Sequence, residues 1–350
     1  MMAGRPVELY TGDTAGNPAQ TRSKTQELVE RFNVSCLIGP LAAFEALAID
    51  DYIRSSKTPI LSVAGAEDLT QRKPNPWFVR ASCTSAQPSY TVGDYAAKEL
   101  KLKRVATIAD DFAFGYENVA GFQRVFEDNG GKVVQKLWAP LNAPDYGTYI
   151  SQLKPDLDAV YTGHAGSNGL KFVRQLAEYG MRKKFTVLGG FTPIDEAVLQ
   201  QMGDDGLGAI SGSWYSTELD FPANKTFVEQ IRKDYKVDPG TYAAETYLSA
   251  EVLEFALKTI DAKIENRDAL IKALRAAKVP NTVRGPVRFD EFGNVVGNIY
   301  VRKVEKKDGH YVNAIVKTYP DVSQFWTYNQ EEFLKNPVYS RDFPPSKNLE

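Results

Sequence analysis

The feature that most constrains the fold is a regular alternation of short apolar runs with segments of helical periodicity. The runs Val34–Gly39, Val105–Ala109 and Val133–Trp138 are almost continuously apolar, and a helical segment follows each of them. In the segment 42–56 the apolar side chains recur at helical spacing, with charged residues between them. Apolar strands that alternate with helices are typical of a parallel sheet covered on both faces. The sequence therefore predicts an α/β fold of doubly wound parallel sheets.

The length of the chain indicates two lobes, because 350 residues exceed one ordinary core. Three segments interrupt the alternation and are expected to be strands that cross between the lobes: residues 77–82, 213–217 and 283–294. In the third, Gly285-Pro286 excludes a continuous helix, because proline lacks an amide hydrogen and clashes with the preceding turn. Val287 and Phe289 then alternate with polar neighbours, as in a short strand.

These crossings predict the division of the chain. The expected parts are a first lobe of residues 1–82 and 217–283, a second lobe of residues 87–213 and 289–320, and a C-terminal tail of residues 321–350. The tail contains Phe325, Trp326 and Tyr328. Aromatic residues are seldom left in solvent, so the tail is expected to wrap a surface.

The composition excludes several functions. Lys and Arg number 42 against 44 Asp and Glu, so neither nucleic acid nor an anionic membrane is an expected partner. His164 and His310 are the only histidines, and no catalytic triad or metal spacing is visible. The glycine-rich segment 163–169 lacks the Lys-Ser/Thr pair of a phosphate-binding loop. We therefore expect a protein without enzymatic activity, metal or cofactor. The sequence does not decide whether Cys36 and Cys83 form a disulfide.

Several motifs, in this order, are similar to those of the leucine/isoleucine/valine-binding proteins. These proteins are the type I periplasmic solute receptors of ABC transporters. The motifs are Ile38-Gly39-Pro40, the segments 59–66 and 78–82, Asp110-Asp111-Phe112-Ala113-Phe114-Gly115 and Gly285-Pro286 with Phe289-Asp290. The resemblance extends from Val7 to about Tyr319. The resemblance implies a Venus-flytrap fold, a monomer, a periplasmic location and membrane subunits of an ABC transporter as partners.

The start of the chain departs from this pattern. Residues 7–10 are expected to form a strand, and no apolar export signal precedes them. Taken alone, this indicates a cytoplasmic protein or a missing start. The resemblance implies that one strand and one helix, with the export signal, are missing before Val7.

The ligand is expected to differ from an amino acid. Amino-acid receptors of this family place an acid after the strand that corresponds to 185–188, where this chain reads Gly189-Gly190-Phe191-Thr192. Their serine at a helix start is replaced by Ala42-Ala43-Phe44. A buried ammonium without a partner is strongly unfavourable. Together with Gly293–Gly297 and Trp326–Tyr328, these changes resemble the branch that binds benzoate- or hydroxycinnamate-type carboxylates.

The candidate ligand-binding residues follow from the rule that ligands lie beyond the carboxyl ends of parallel strands. They are Ala43, Phe44, Gly65 and Ala66 in the first lobe, Phe114, Tyr116, His164, Ala165, Phe191 and Thr192 in the second, Ser85 and Gln87 at the first crossing, and Tyr242, where the resemblance implies a contact. Phe114 and Phe191 could sandwich a ring, and His164 could bond to a phenol or carboxylate. Core packing is the alternative for the phenylalanines, a surface loop for His164, and a hinge for Ser85 and Gln87.

Three alternative functions remain open at this point. A branched-chain or other amino-acid receptor would need an acid such as Glu67 or Glu245 at the ligand. A cytoplasmic ligand sensor could share the fold without a transporter. An α/β enzyme, such as a dehydrogenase, would need a nucleotide fingerprint, and the segment 206–208 precedes a strand rather than a helix.

Overall fold

The computed structural model describes all 350 residues, which form two compact units. Unit 1 consists of residues 1–84 and 242–297, and unit 2 consists of residues 85–241 and 298–350. Each contains parallel strands with helices between them, so the predicted α/β class is confirmed.

The helices and strands follow in chain order. The helices are α1 (Pro18–Gln26), α2 (Ala43–Ser56), α3 (Gln87–Lys98), α4 (Ala113–Asp128), α5 (Gly147–Ile150), α6 (Ser167–Glu178), α7 (Glu196–Met202), α8 (Pro222–Tyr235), α9 (Thr241–Thr259), α10 (Arg267–Ala276) and α11 (Gln330–Lys335). The strands are β1 (Leu37–Ile38), β2 (Ile60–Leu61), β3 (Phe78–Val79), β4 (Arg104–Asp110), β5 (Lys132–Ala139), β6 (Ala159–Gly163), β7 (Thr186–Gly189), β8 (Ile210–Ser213), β9 (Lys278–Val279), β10 (Val287–Phe289), β11 (Val295–Lys307) and β12 (His310–Val322). No helix combines the length and the apolar character needed to cross a lipid bilayer.

The sheet of unit 2 has the strand order β5-β4-β6-β7-β8-β11, and β12 pairs with β11. The first five strands are parallel, whereas β11 runs antiparallel to β8. Ile108 of β4 packs into a core that contains Phe172, and Val105 packs into a second core that contains Phe122 and Phe126. Burial on both faces explains why the strands read as continuous apolar runs.

Unit 1 has a smaller set of strands. β1, β2 and β3 are parallel and contain only two residues each. Just beyond β3, Arg80 forms a parallel bridge with Asn294. β9, β10 and the first residues of β11 pair antiparallel, with Val287 opposite Gly297.

Residues 7–10 do not form the predicted strand. The segment lies outside both sheets, and the side chains of Val7 and Leu9 are 59% and 84% exposed. An alternating pattern makes a strand only where a neighbouring strand accepts its backbone hydrogen bonds. No strand of unit 1 pairs with this segment.

Residues 217–241 lie in unit 2, and not in the first lobe as the sequence predicts. Side-chain hydrogen bonds hold this segment. Asn224 Nδ2 donates to the carbonyl oxygens of Ser216 (3.2 Å) and Leu219 (3.1 Å). At its end, the Thr241 amide donates to Asp195 Oδ2 at 2.8 Å. The chain therefore passes to unit 1 inside α9 rather than at 213–217.

The segment 283–294 is also placed differently from the prediction, since it lies within unit 1. Its strand β10 pairs with β9 and β11, and a turn follows. In that turn Asp290 Oδ1 accepts hydrogen bonds from the amides of Phe292 (3.0 Å) and Asn294 (2.9 Å). Gly293 has φ +84°, which favours glycine. The third passage between the units falls inside β11, between residues 297 and 298.

The C-terminal segment packs on unit 2. Phe325 and Phe333 are buried against each other, with ring centroids 5.2 Å apart. The hydroxyl of Tyr328 donates to Asp128 Oδ2 at 2.6 Å, and the Arg124 guanidinium lies 3.8 Å from the centre of the Tyr328 ring. The aromatic residues of the tail thus serve as packing residues.

Both cysteines are free. Burial raises the pKa of Cys36 to about 12 and places the pKa of Cys83 further above its ordinary range. Both thiols are therefore protonated near neutral pH, which makes them poor nucleophiles.

Candidate functional site

The carboxyl edge of unit 2 is the edge at which its parallel strands end. β4, β6 and β7 are neighbours in the sheet, so the segments that follow them meet at this edge. These segments are residues 110–116, 164–166 and 190–195. Loops beyond the ends of adjacent parallel strands are where open α/β sheets bind ligands. Six of the eight candidate residues predicted in this unit lie in these three segments, and the other two are Ser85 and Gln87.

Three phenylalanines form a cluster at this edge, which we call the phenylalanine cluster: Phe112, Phe114 and Phe191. The rings of Phe112 and Phe114 have centroids 5.9 Å apart, and those of Phe114 and Phe191 meet edge to face at 5.6 Å. Gly115 lets the start of α4 pack against the end of β4, because a Cβ there would lie 2.0 Å from the Asp110 carbonyl oxygen. The predicted pair Phe114 and Phe191 is thus brought together, but the prediction that they sandwich a ligand ring is wrong, because the two rings contact each other edge to face.

The loop that carries Phe191 is held on several sides. The Gly190 amide donates to the Thr162 carbonyl oxygen at 3.2 Å. The hydroxyl of Thr192 donates to the carbonyl oxygen of His164 at 2.6 Å. Arg302 Nη2 donates to the carbonyl oxygens of Ile194 (3.2 Å) and Phe191 (3.5 Å). The Thr192 side chain therefore fixes the loop.

His164 is buried and does not lie in a surface loop. Its Nδ1 is 2.6 Å from Thr162 Oγ1, and its ring contacts Tyr146 and Phe172, with centroids 4.8 and 5.0 Å away. Its Nε2 has no hydrogen-bond partner in the protein. Burial lowers the pKa of His164 to about 3. The imidazole is therefore neutral at physiological pH and keeps one nitrogen available.

The acids at this edge are engaged by protein groups. Asp110 accepts hydrogen bonds from the Ala165 amide (2.7 Å) and from Asn168 Nδ2 (3.0 Å). Burial raises the pKa of Asp110 to about 6, although both hydrogen bonds oppose the shift. Asp195 caps α7 and accepts from Thr241, as described above. Glu196 is paired with Arg302, with an N–O distance of 3.0 Å.

Tyr116 lies apart from the phenylalanine cluster. Its hydroxyl donates to Asp111 Oδ1 at 2.6 Å, and its ring meets Trp138 edge to face at 5.1 Å. Residues 114 and 116 are two positions apart on α4, which places them on different helix faces. The two predicted residues cannot both point to the same ring.

The residues of the first crossing lie at the start of α3. Gln87 is buried, and its Nε2 donates to the Val322 carbonyl oxygen at 2.7 Å. Ser85 is also fully buried, and its Oγ has no hydrogen-bond partner in the protein. Gln87 therefore ties α3 to β12, whereas Ser85 keeps a free hydroxyl.

Unit 1 brings its own candidates to one edge, because β1 and β2 are parallel neighbours. Ala43 begins α2; the preceding residue, Ala42, has no side chain that could cap the helix, and its amide donates to Glu45 Oε2 at 3.1 Å. Phe44 is half-buried beside it. After β2, Ala66 is buried and its carbonyl oxygen accepts a hydrogen bond from Arg80. The main chain at Gly65 and Ala66 is thus held by a buried arginine, which the sequence analysis missed.

Glu245 is buried in the first turns of α9. One carboxylate oxygen has no hydrogen-bond partner. Burial raises the pKa of Glu245 to about 8, and a hydrogen bond to Ser82 opposes the shift. Glu67 is buried as well, and Tyr242 is half-buried one turn before Glu245. No sequence signal separates such an acid from an exposed one on a helix.

Comparison with known proteins gives one family and several similar structures. The family described as "Periplasmic binding protein" matches residues 1–310. The Leu/Ile/Val-binding protein homolog 6 of Brucella melitensis is 28% identical over 320 residues, which is 89% of this chain and 80% of that protein.

Two similar solved structures contain bound aromatic acids. A solute-binding protein of an ABC transporter from Rhodopseudomonas palustris BisB5, in complex with 3,4-dihydroxybenzoic acid, is 33% identical with a TM-score of 0.87. The match covers 93% of this chain and 89% of that chain. A second solute-binding protein from R. palustris, in complex with benzoate, is 25% identical with a TM-score of 0.84 and covers 92% and 88% of the two chains.

Proposed function

This chain belongs to the periplasmic binding protein family, and from that membership we propose that it is the receptor through which an ABC transporter takes up a small aromatic carboxylate. The family consists of binding receptors rather than enzymes. The proposed ligands are benzoate- or hydroxycinnamate-type acids.

The observation that carries the proposal is the phenylalanine cluster at the carboxyl edge of unit 2. Phe114 and Phe191 are both nearly buried and meet edge to face at 5.6 Å. A bound ring that stacks on such side chains gains roughly 0.5–1.5 kcal/mol per pair beyond the burial of apolar area. The two R. palustris relatives bound to aromatic acids support the same ligand class.

The charges at the same edge argue against an amino-acid ligand. An α-ammonium needs a carboxylate whose oxygens are free to accept its hydrogen bonds. The carboxylate oxygens of Asp110 and Asp195 already accept hydrogen bonds from amide groups of the protein, and Glu196 is paired with Arg302. The loop 189–192 supplies no acid.

An element suited to an anion is present in unit 1. The residue before α2, Ala42, has no side-chain acceptor for the first amides of the helix, and the positive end of the helix dipole lies at Ala43; Glu45 Oε2 accepts the amide of Ala42. A carboxylate is stabilised at such a helix start. Ala43, Phe44, Gly65 and Ala66 therefore stay in the proposed set of ligand-binding residues, as does Tyr242.

A branched-chain amino-acid receptor is the second candidate, because the Brucella relative carries that name and Glu245 is a buried acid with a free oxygen. Its pKa of about 8 weakens this candidate. A carboxylic acid that is mostly protonated at neutral pH is a poor partner for an ammonium group.

The family is periplasmic and works with the membrane subunits of ABC transporters. For this chain we propose the same location and partners, with the receptor acting as a monomer.

A thermal-shift titration tests the ligand class directly. Purified protein is heated with leucine, benzoate, 4-hydroxybenzoate or 4-hydroxycinnamate, since ligands that bind only the native state raise its melting temperature. A rise with the aromatic acids and none with leucine is expected. A rise with leucine alone would overturn the ligand assignment in favour of the second candidate.

A further inference from the structure

Two polar groups in unit 2 are buried without a hydrogen-bond partner and lie on adjacent rings. They are Tyr146 Oη and His164 Nε2. Both residues are fully buried, and their rings meet edge to face with centroids 4.8 Å apart. Buried polar groups are almost always paired, and an unpaired one costs free energy. Two neighbouring exceptions indicate a place where an outside polar group can bind.

The position of this pair is at the carboxyl edge of unit 2. Tyr146 follows β5 and His164 follows β6, and both strands flank β4 in the sheet. The His164 carbonyl oxygen accepts the hydroxyl of Thr192, which is the neighbour of Phe191. The pair therefore lies next to the loop that carries Phe191, one member of the phenylalanine cluster.

We propose that Tyr146 Oη and His164 Nε2 form a subsite for a ring hydroxyl, so that the protein selects hydroxylated aromatic acids over benzoate. The subsite rests on the proposed function and specifies its ligand further. Tyr146 lies outside the motifs that identify the ligand-binding residues from sequence.

The hydrogen-bonding capacities match a phenol. Nδ1 of His164 is occupied by Thr162 Oγ1 at 2.6 Å, so Nε2 is an acceptor or a donor according to the tautomer. A phenol hydroxyl both donates and accepts, and so does the tyrosine hydroxyl. One ring hydroxyl can therefore pair with both groups in either tautomer.

A carboxylate suits the same place less well. Asp110 Oδ2 accepts the amide of Ala165, the residue after His164, at 2.7 Å, so this carboxylate lies beside the pair. Burial and, after it, the charge of Asp110 raise the pKa of Tyr146 well above its ordinary value. A second anion would be repelled by Asp110, whereas a neutral phenol would not. The ligand is thus oriented with its hydroxyl at Tyr146 and its carboxylate elsewhere.

Titration calorimetry with benzoate, 4-hydroxybenzoate and 3,4-dihydroxybenzoate tests the subsite. The unmodified protein is expected to bind a hydroxylated acid at least about tenfold more tightly than benzoate, because the ring hydroxyl forms hydrogen bonds with buried groups that are otherwise unpaired. Tyr146→Phe should reduce this preference about tenfold and leave the benzoate affinity unchanged. Without ligand, the variant should be as stable as the parent or more so, since it loses an unpaired buried hydroxyl.

Tyr161→Phe is the matched control. Tyr161 is another fully buried tyrosine of unit 2, but its hydroxyl donates to Ser89 Oγ at 2.7 Å. Removal of the Tyr161 hydroxyl should lower the melting temperature of the unliganded protein and leave the ratio of the affinities for hydroxylated acids and benzoate unchanged.

The outcomes separate the two proposals. An unmodified protein that binds no aromatic acid would refute the proposed function. Equal affinity for benzoate and the hydroxylated acids, or an unchanged preference in Tyr146→Phe, would overturn the subsite alone. If Tyr146→Phe does not fold, the ratio of the affinities for the hydroxylated acids and for benzoate is measured in His164→Ala instead. The expected result is a lower affinity for the hydroxylated acids and an unchanged affinity for benzoate.

Discussion

Unit 1 and unit 2 hold the ends of their strands in different ways. In unit 2, β4 has seven residues and pairs on both sides, so the sheet itself fixes the segments at its edge. In unit 1 the three parallel strands have two residues each. There, buried arginines donate hydrogen bonds to the backbone carbonyl oxygens of the segments that follow the short strands. Arg80 donates to the carbonyl oxygens of Ala64 and Ala66, and Arg284 donates to those of Ala81 and Ser82.

The difference shows that a planar guanidinium with five donors can replace a stretch of sheet as a support for loops. The charges of Arg80 and Arg284 lower the pKa of the neighbouring acid Glu245, but the burial of Glu245 itself outweighs them and raises this pKa to about 8. In unit 2 the buried Arg302 likewise donates hydrogen bonds to loop carbonyl oxygens, but it also forms an ion pair with Glu196. We therefore expect the loss of the Arg302–Glu196 ion pair to have the largest effect on unit 2, and the ionisation of Glu245 to make unit 1 less stable as pH rises.

The largest effect is expected from Arg302→Met in unit 2. The substitution leaves the buried Glu196 without its partner and should destabilise unit 2 by about 3–5 kcal/mol. Hydrogen exchange of the amides of β8 and β11, followed by mass spectrometry, measures the loss for this unit alone. The matched control is Arg302→Met combined with Glu196→Leu, which should recover most of the stability. Equal losses in the single and double variants would show that the stranded carboxylate is not the cause.

The next effect concerns the pH dependence of unit 1. The pKa of Glu245 is about 8 in the folded protein, against an ordinary value of 4.5. Above the ordinary value the unfolded chain loses this proton while the folded chain keeps it, so the stability of unit 1 falls as pH rises through this window. Glu245→Gln removes the fall, and its advantage over the parent should grow by on the order of 2 kcal/mol between about pH 5 and about pH 8.

Hydrogen exchange of unit 1 at several pH values measures this trend. Glu254→Gln is the control, because Glu254 lies on the same helix with its side chain 42% exposed. Parallel stability curves for the parent and Glu245→Gln would contradict the assignment of the pH dependence to this residue.

A smaller effect is expected at the ligand itself. Phe191→Ala should weaken the binding of benzoate about tenfold, because one ring of the phenylalanine cluster is lost. Titration calorimetry checks the affinity, and circular dichroism checks that the fold is retained. Tyr235→Ala, which removes an exposed aromatic ring at the end of α8 in unit 2, should leave the affinity unchanged. An unaltered affinity in Phe191→Ala would remove this residue from the site.

The smallest effect is expected at the start of α2 in unit 1. Ala42→Ser supplies the side-chain cap that this helix lacks and should stabilise unit 1 by about 0.5–1 kcal/mol. Asn266→Ala at α10 is the reverse experiment, since Asn266 Oδ1 accepts the Ala269 amide at 3.0 Å, and it should lose about 1 kcal/mol. Thermal unfolding of both variants measures the pair of shifts. No gain in Ala42→Ser would mean that the first amides of α2 already have partners of equal strength.

Part of the candidate site follows from the sequence. The rule that ligands lie beyond strand ends selected Phe114, His164 and Phe191, and the structure brings all three to one edge. The rule does not tell which way a side chain points within a helix turn, so it also selected Tyr116. It missed Tyr146, which lies in a connection without periodicity and becomes notable only because its hydroxyl is buried and unpaired.

The sequence by itself determined the α/β class, the parallel strands and the family, since these depend on local periodicity and on motifs in order. The tertiary structure alone decided that residues 7–10 are not a strand and that 217–241 belong to unit 2. It also decided the burial of Arg80, Arg284, Arg302 and Glu245. Pairing and burial depend on which distant segments meet, and a charged residue in a sequence carries no sign of whether its partners will surround it.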